Sequence, residues 1–350
     1  MNIGIDIRMI NHSGIGTYIK NIIPLIINRM QSDKFILFYG SSDSKVFFKQ
    51  RNIKFINMKS SIYSISEQIE FLKLNSMNID LFWSPHYNAP IFLKTKLVVT
   101  IHDIFHLVDK DASILKKIYS KMLFNIIKRN ASKVITVSNF TKNQIIDYLH
   151  VNESNIKVIY NGVSSFFKNR KNINKERYLL YVGNIKKHKN IKFLINVFNN
   201  LSEKDLKLYI VGNYSKLKYP DYDVINAINN NDNIILKDEV DTNLLIEYYS
   251  NAELFIFPSL YEGFGLPPLE AMACGCPVLA SNQASIPEVC SNGAEYFDPY
   301  DESDLLIKIK ELLNDIDKKE KMIKNGYKHI KQFSWNDKSD KIVNLFREVI

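Results

Sequence analysis

Pro258-Ser-Leu-Tyr-Glu-Gly-Phe-Gly-Leu-Pro-Pro-Leu-Glu-Ala-Met-Ala-Cys-Gly-Cys-Pro277 is the stretch from which the rest of the chain can be read. The apolar run Leu254-Phe-Ile-Phe257 before it predicts a buried strand, Gly263 and Gly265 a flexible turn, and Pro267-Pro268 the first turn of a helix. Amides at a helix start favour anions, so a diphosphate fits at Gly265 and Leu266. Glu262 precedes the turn, and Glu270 follows eight residues later, expected in the first helical turn. Both are placed to accept hydrogen bonds from sugar hydroxyls. Read one by one, the same residues also suit a dipole-stabilised helix start and an ordinary Gly-Pro turn.

Outward from this stretch, β-rich runs alternate with amphipathic ones. Ile3–Ile7, Phe35–Tyr39, Leu81–Trp83, Leu97–Ile101 and Val134–Val137 are expected strands, with helices between them. After the polar, basic segment Ser164–Arg177 the alternation restarts at Tyr178-Leu-Leu-Tyr-Val-Gly183, then continues through Leu208–Val211, Ile234–Leu236, Leu254–Phe257 and Val278–Ala280. Such alternation predicts doubly wound parallel sheets, and the restart predicts two of them. The expected domains are 1–163, 164–334 and a final amphipathic helix over 335–350. A length of 350 residues is enough for two domains, each with its own core.

Ligands of open α/β sheets bind beyond the carboxyl ends of the strands, and the remaining candidates fall there. Gly14 and Gly16 lie in Asn11-His-Ser-Gly14-Ile-Gly16-Thr-Tyr18, read as a loop after the first strand whose backbone admits a phosphate or sugar closely. It lacks the full G-x-G-x-x-G spacing, so a dinucleotide fingerprint is weak. Lys186, Lys187, His188 and Lys189 follow another strand, and a lysine there is placed to neutralise a departing diphosphate. A solvated basic loop is the alternative. His102-Asp-Ile-Phe-His106 approximates the zinc-protease H-E-x-x-H motif, which needs a helix to align both imidazoles. His102 instead follows the β-branched run Leu97–Ile101, leaving a structural histidine pair or a sugar-binding histidine. Asp109-Lys-Asp111, Asp221-Tyr-Asp223 and Asp315-Ile-Asp317 match the Asp-x-Asp of metal-dependent transferases in letters, but none follows a β-rich run, and all three read as surface acids.

The segment Pro258–Pro277 resembles the signature of retaining glycosyltransferases of family four, and the resemblance extends over nearly the whole chain. It implies the GT-B fold: two Rossmann-like domains facing a cleft, with the last helix crossing back to the N-terminal domain. It implies that Glu262 lies by the donor sugar and Glu270 binds the ribose, with Lys189 and the amides of Phe264, Gly265 and Leu266 stabilising the diphosphate. His102 would stand against the transferred sugar, and Gly14 and Gly16 would face donor phosphates and acceptor. Asn184 occupies a position usually held by a cation, so Lys189 is the secure one of the usual pair, with Lys186 or Lys187 placed to compensate for the other. No metal and no cofactor are expected; the partners are a nucleotide-sugar donor and a saccharide or undecaprenyl-linked acceptor, without nucleic acid. Gly4-Ile-Asp-Ile-Arg8 and Thr100-Ile-His-Asp-Ile-Phe105 look like those of bacterial mannosyltransferases, which puts GDP-mannose first among donors and surface polysaccharide such as O-antigen first among products. The competing readings are a phosphorylase or sugar-nucleotide epimerase on the same fold, and a non-catalytic binding protein.

Composition adds bounds. Hydrophobic residues at 46% and charged residues at 24% are ordinary for a globular protein. No apolar run approaches the roughly 20 residues that span a bilayer, and the opening strand lacks a secretory signal, so a cytoplasmic location is expected. Cys274, Cys276 and Cys290 suit neither a disulfide framework nor a zinc site. The net charge of +9 permits an anionic partner without naming one. Within 114–129 an apolar face is combined with five basic residues, a pattern that suits either packing on the sheet or contact with an anionic membrane at its inner face.

Overall fold

The computed structural model describes residues 1–109, 114–170, 176–203, 205–212, 222–238 and 240–350. The chain divides into two compact units, Met1–Gly162 with Phe333–Ile350, and Val163–Gln332. Each is a Rossmann-like parallel sheet flanked by helices, the build of the GT-B class.

In the first unit the described strands are β1 (Asn2–Asp6), β2 (Lys34–Tyr39), β3 (Ile53–Asn57), β4 (Leu81–Ser84), β5 (Lys96–Ile101), β6 (Lys133–Thr136) and β7 (Ile156–Val158). They pair in the order β3-β2-β1-β4-β5-β6-β7, all parallel. The order reverses between β1 and β4, so their carboxyl ends frame a crevice. The helix Trp335–Val349 packs on the helix Ser13–Arg29 and completes this core, burying Trp335, Ile342 and Phe346 among Ile3, Ile5 and Trp83. Gly162 is needed where the two segments meet, because a Cβ there would come within 2.6 Å of Trp335.

The second unit holds β8 (Arg177–Val182), β9 (Leu206–Val211), β10 (Ile234–Lys237), β11 (Leu254–Phe257), β12 (Val278–Ser281) and β13 (Ala294–Phe297), in the parallel order β10-β9-β8-β11-β12-β13. Its reversal lies between β8 and β11, whose Leu254 and Phe255 stand opposite Leu179 and Leu180. All four residues of β11 are buried, as an inner strand covered on both faces requires.

Three strands, β3, β7 and β13, are absent from the sequence reading. All three are sheet edges with partly buried residues, so they lack the continuous apolar run that marks the inner strands. Asp315 of the third acidic triplet caps the helix Ile316–His329, its carboxylate accepting from Lys318 N at 2.8 Å. The other two triplets lie partly outside the described residues, as does Ser164–Arg177. Cys274, Cys276 and Cys290 are free and buried.

Candidate active site

The reversal point of the second unit gathers the residues of the signature. β8 runs into Gly183, where φ is +154° and a Cβ would stand 2.6 Å from Tyr181 Oη. Asn184 follows, its carbonyl accepting from Tyr181 Oη at 3.3 Å. A short 3-10 turn, Lys187–Lys189, then leads to the helix Ile191–Asn199. Across the reversal point, β11 runs into the glycine turn, and the two loops are tied where Leu260 N donates to His188 O at 2.8 Å.

Lys189 Nζ meets Glu262 Oε1 at 2.5 Å, with 19% and 12% of the two side chains exposed. Removed from most solvent, the two charges attract each other more strongly than a surface pair does, and their desolvation opposes that gain. An ammonium has three N–H donors, so Lys189 can hold Glu262 and still donate to a phosphate oxygen. Ser285 fixes the turn from beneath, its hydroxyl in contact with the carbonyls of Glu262 at 2.9 Å and Phe264 at 3.2 Å. Gly265 adopts φ +90° as the cap of the helix Leu266–Ala273, a conformation that strains any residue with a Cβ. Pro267 and Pro268 carry no N–H, so Phe264, Gly265 and Leu266 supply the amides at this helix end.

Glu270 is displaced from its expected position. The helix begins at Leu266, which puts Glu270 in the second turn, where the first-turn dipole no longer supports a charge. Its carboxylate is partly buried and accepts from Tyr249 Oη at 3.2 Å. Burial pushes its pKa up to about 7, against the opposing hydrogen bond from Tyr249. Burial and the Glu270 charge likewise push the neighbouring Cys274 thiol up to about 12, leaving it an inert packing group.

The first unit corrects the glycine loop. Gly14 and Gly16 sit in the first turns of the helix Ser13–Arg29, after a 3-10 turn over Arg8–Asn11. A Cβ on Gly14 would meet no atom within 4 Å beyond its chain neighbours and its own helical turn, whereas at Gly16 a Cβ would stand 2.3 Å from Ile10 O. Gly16 therefore serves close backbone packing, and Gly14 is the position with room for a ligand. His102 follows β5 and lies edge-on to Tyr18 of the same helix, ring centroids 4.9 Å apart. Its Nε2 is 2.9 Å from Pro85 O. A carbonyl only accepts, so Nε2 carries the proton. Burial also lowers the pKa of His102 and favours the neutral ring, in which Nδ1 is an acceptor. His106 lies on the separate turn Phe105–Val108, so the two imidazoles do not share a helical face as a zinc pair would require.

One constellation went unread in the sequence. At the carboxyl ends of β1 and β4, Arg8 grips Asp6 through Nε at 2.9 Å and Nη2 at 2.6 Å, and reaches Glu67 Oε1 at 2.6 Å. Asn88 donates to the same Glu67 oxygen at 2.6 Å, and His86 Nε2 stands 3.4 Å from Asp6. All five residues are buried. The strand-end rule would have found Arg8 and His86, just as it would have found Ser285 after β12.

The family described as Glycosyl transferases group 1 matches residues 163–329, and Glycosyltransferase Family 4 matches residues 47–165. An uncharacterized glycosyltransferase of Methanocaldococcus jannaschii is 30% identical, over 78% of this chain and 75% of that one. This chain belongs to the family-four glycosyltransferases. Among relatives of the transferase is the O-antigen chain mannosyltransferase RfbU of Salmonella typhimurium, 32% identical over 67% of this chain and 65% of that protein. The O-antigen chain mannosyltransferase B of Escherichia coli is 24% identical over 96% of both chains. The transferase shares its fold with HepE of Anabaena, solved in complex with UDP-glucose, at a TM-score of 0.81, 16% identity and coverage of 99% and 100%.

Proposed function

We propose that this chain is a retaining, metal-independent hexosyltransferase that moves mannose from GDP-mannose to a saccharide or undecaprenyl-linked acceptor in surface polysaccharide assembly. The observation that carries the reading is the Lys189–Glu262 pair beside the Gly265-led helix at the strand reversal. The mannosyltransferase relatives support the choice of sugar.

In this reading Lys189 and the amides of Phe264, Gly265 and Leu266 stabilise the departing diphosphate as the bond between the anomeric carbon and phosphate oxygen breaks. Glu262 holds sugar hydroxyls, and Glu270 accepts from the ribose. The acceptor oxygen attacks from the face the phosphate leaves, and its proton passes to a phosphate oxygen. His102, with Nε2–H engaged by Pro85, accepts from a sugar hydroxyl through Nδ1 and so positions the sugar. Location at the inner face of the membrane fits a lipid-linked acceptor, and no helix among the described residues is long and apolar enough to cross it.

The test is hydrolysis of a panel of nucleotide sugars in the absence of acceptor, with calorimetry of the free nucleotides. GDP-mannose turnover and GDP binding are expected. Micromolar UDP binding with none for GDP overturns the mannose assignment; no turnover with any donor overturns the enzyme.

A further inference from the structure

The buried network at the carboxyl ends of β1 and β4 is a poor device for stability. Among the described residues, Arg8 Nη1 and Asn88 Oδ1 find no hydrogen-bond partner, although both side chains are buried. A buried polar atom left unpaired costs about 1–3 kcal/mol, and apolar side chains of like volume often serve a core as well as buried ion pairs do. Stability therefore does not account for the network. What it holds in place does.

It holds the bend 84–88 that follows β4. Asn88 Nδ2 donates to Glu67 Oε1 at 2.6 Å, and Asn88 N to His86 Nδ1 at 3.2 Å. Ser84 Oγ contacts the carbonyls of His86 at 2.7 Å and Asn88 at 3.0 Å, closing the bend on itself. Because His86 Nδ1 accepts, the ring proton stands on Nε2, which faces Asp6 Oδ2 at 3.4 Å. Arg8 Nη2 joins the two carboxylates on which the bend rests, Asp6 at 2.6 Å and Glu67 at 2.6 Å. Between these fixed points lies Pro85, whose carbonyl is 2.9 Å from His102 Nε2. A hydrogen bond weakens steeply once misaligned, and a neutral imidazole freed from that carbonyl can carry its proton on either nitrogen. With the proton on Nδ1, His102 would donate where it has to accept. We infer that Glu67, Asn88 and Ser84 are positioning residues of the transferase, which hold the Pro85 carbonyl so that His102 presents a bare Nδ1 to the sugar. Their effect on turnover rests on the functional reading, whereas the tautomer is a property of the free protein.

Nitrogen-15 NMR of the full chain labelled at histidine reads the tautomer directly, since protonated and bare ring nitrogens resonate far apart; His102→Gln identifies the signals. The wild type should show Nε2 protonated and Nδ1 bare. Asn88→Ala cuts the bend from Glu67, and Ser84→Ala removes the hydroxyl that closes it. Each should mix the two tautomers, lower kcat on the order of tenfold, and leave the binding of free nucleotide diphosphate unchanged by calorimetry. Glu70→Gln controls for general loosening. Glu70 shares the helix Ile65–Phe71 with Glu67 but accepts from the amides of Lys59 and Ser60, so its variant should keep the wild-type tautomer. A wild type with its proton on Nδ1, folded variants that keep the wild-type tautomer, mixing without loss of kcat, or equal mixing in Glu70→Gln overturns the inference. If one of the two bend variants fails to fold, the other, which cuts a separate tether, decides; unfolding of both marks the bend as structural and overturns the inference as well. Mixed tautomers in variants of a chain that turns over no donor would leave the link to His102 standing and count against the transferase reading alone.

Discussion

In the proposed reading, Glu270 and His102 separate binding from chemistry. A ribose contact is made in ground and transition states alike, so Glu270→Ala should weaken nucleotide diphosphate binding by roughly 1.5–3 kcal/mol, read by calorimetry. A group at the sugar matters most as charge develops there, so His102→Ala should lower kcat about 10²-fold and leave free nucleotide binding nearly intact. Equal loss of nucleotide affinity in both folded variants contradicts that division. Burial raises Glu270 to about 7 from 4.5, so in the empty site it is largely protonated below that pH. Ribose hydroxyls favour the carboxylate, so binding releases a proton below the raised pKa, and affinity should climb with pH up to about 7 and then level. Tyr249→Phe removes the donor that holds the pKa down and should move that midpoint upward; Glu270→Gln should flatten the profile. If Lys189 does the work of a cation, turnover should survive EDTA, and recovery only with added Mn²⁺ would overturn its role.

At the scale of the element, Gly14 and Gly16 lie two residues apart on one helix and should respond with opposite signs. Gly16→Ala forces a Cβ to within 2.3 Å of Ile10 O, a backbone atom that cannot rotate away. A loss of roughly 1–3 kcal/mol in urea unfolding is expected. Gly14→Ala meets nothing within 4 Å and removes the backbone freedom of a glycine in a helix, so a gain of roughly 0.5–1 kcal/mol is expected. Should Gly14→Ala lower turnover while raising stability, its open space is ligand space.

For the whole molecule, the last helix decides whether the first unit has a closed core. Trp335, Ile342, Val343, Leu345 and Phe346 are all buried, and Phe346 stacks edge-on to Trp83 at 5.4 Å. At roughly 1.5–3 kcal/mol for each buried side chain, they rival the ~5–15 kcal/mol margin of a whole domain. A chain ending at Ser334 should therefore lose near-ultraviolet dichroism from this unit and bind a hydrophobic dye. Retention of a native thermal transition by the shortened chain would contradict that dependence.

By itself the sequence determined the two parallel sheets, the inner strands, the family, and the strand-end location of Lys189, Glu262, Gly265 and His102. These are local matters: a buried strand, a glycine turn and a helix start are written within about twenty consecutive residues, because hydrophobic period and turn chemistry act at short range. Only the tertiary structure decided what these residues touch. The Lys189–Glu262 pair spans 73 positions and exists because the sheet order sets β8 beside β11. Tyr249 and burial fix the protonation of Glu270, and Pro85 O, 17 positions from His102, fixes its tautomer. The second-turn place of Glu270, the packing role of Gly16 and the buried Asp6–Arg8–Glu67 network were illegible for the same reason. Each depends on a neighbour that pairing of distant strands brings close, and no local pattern records that neighbour.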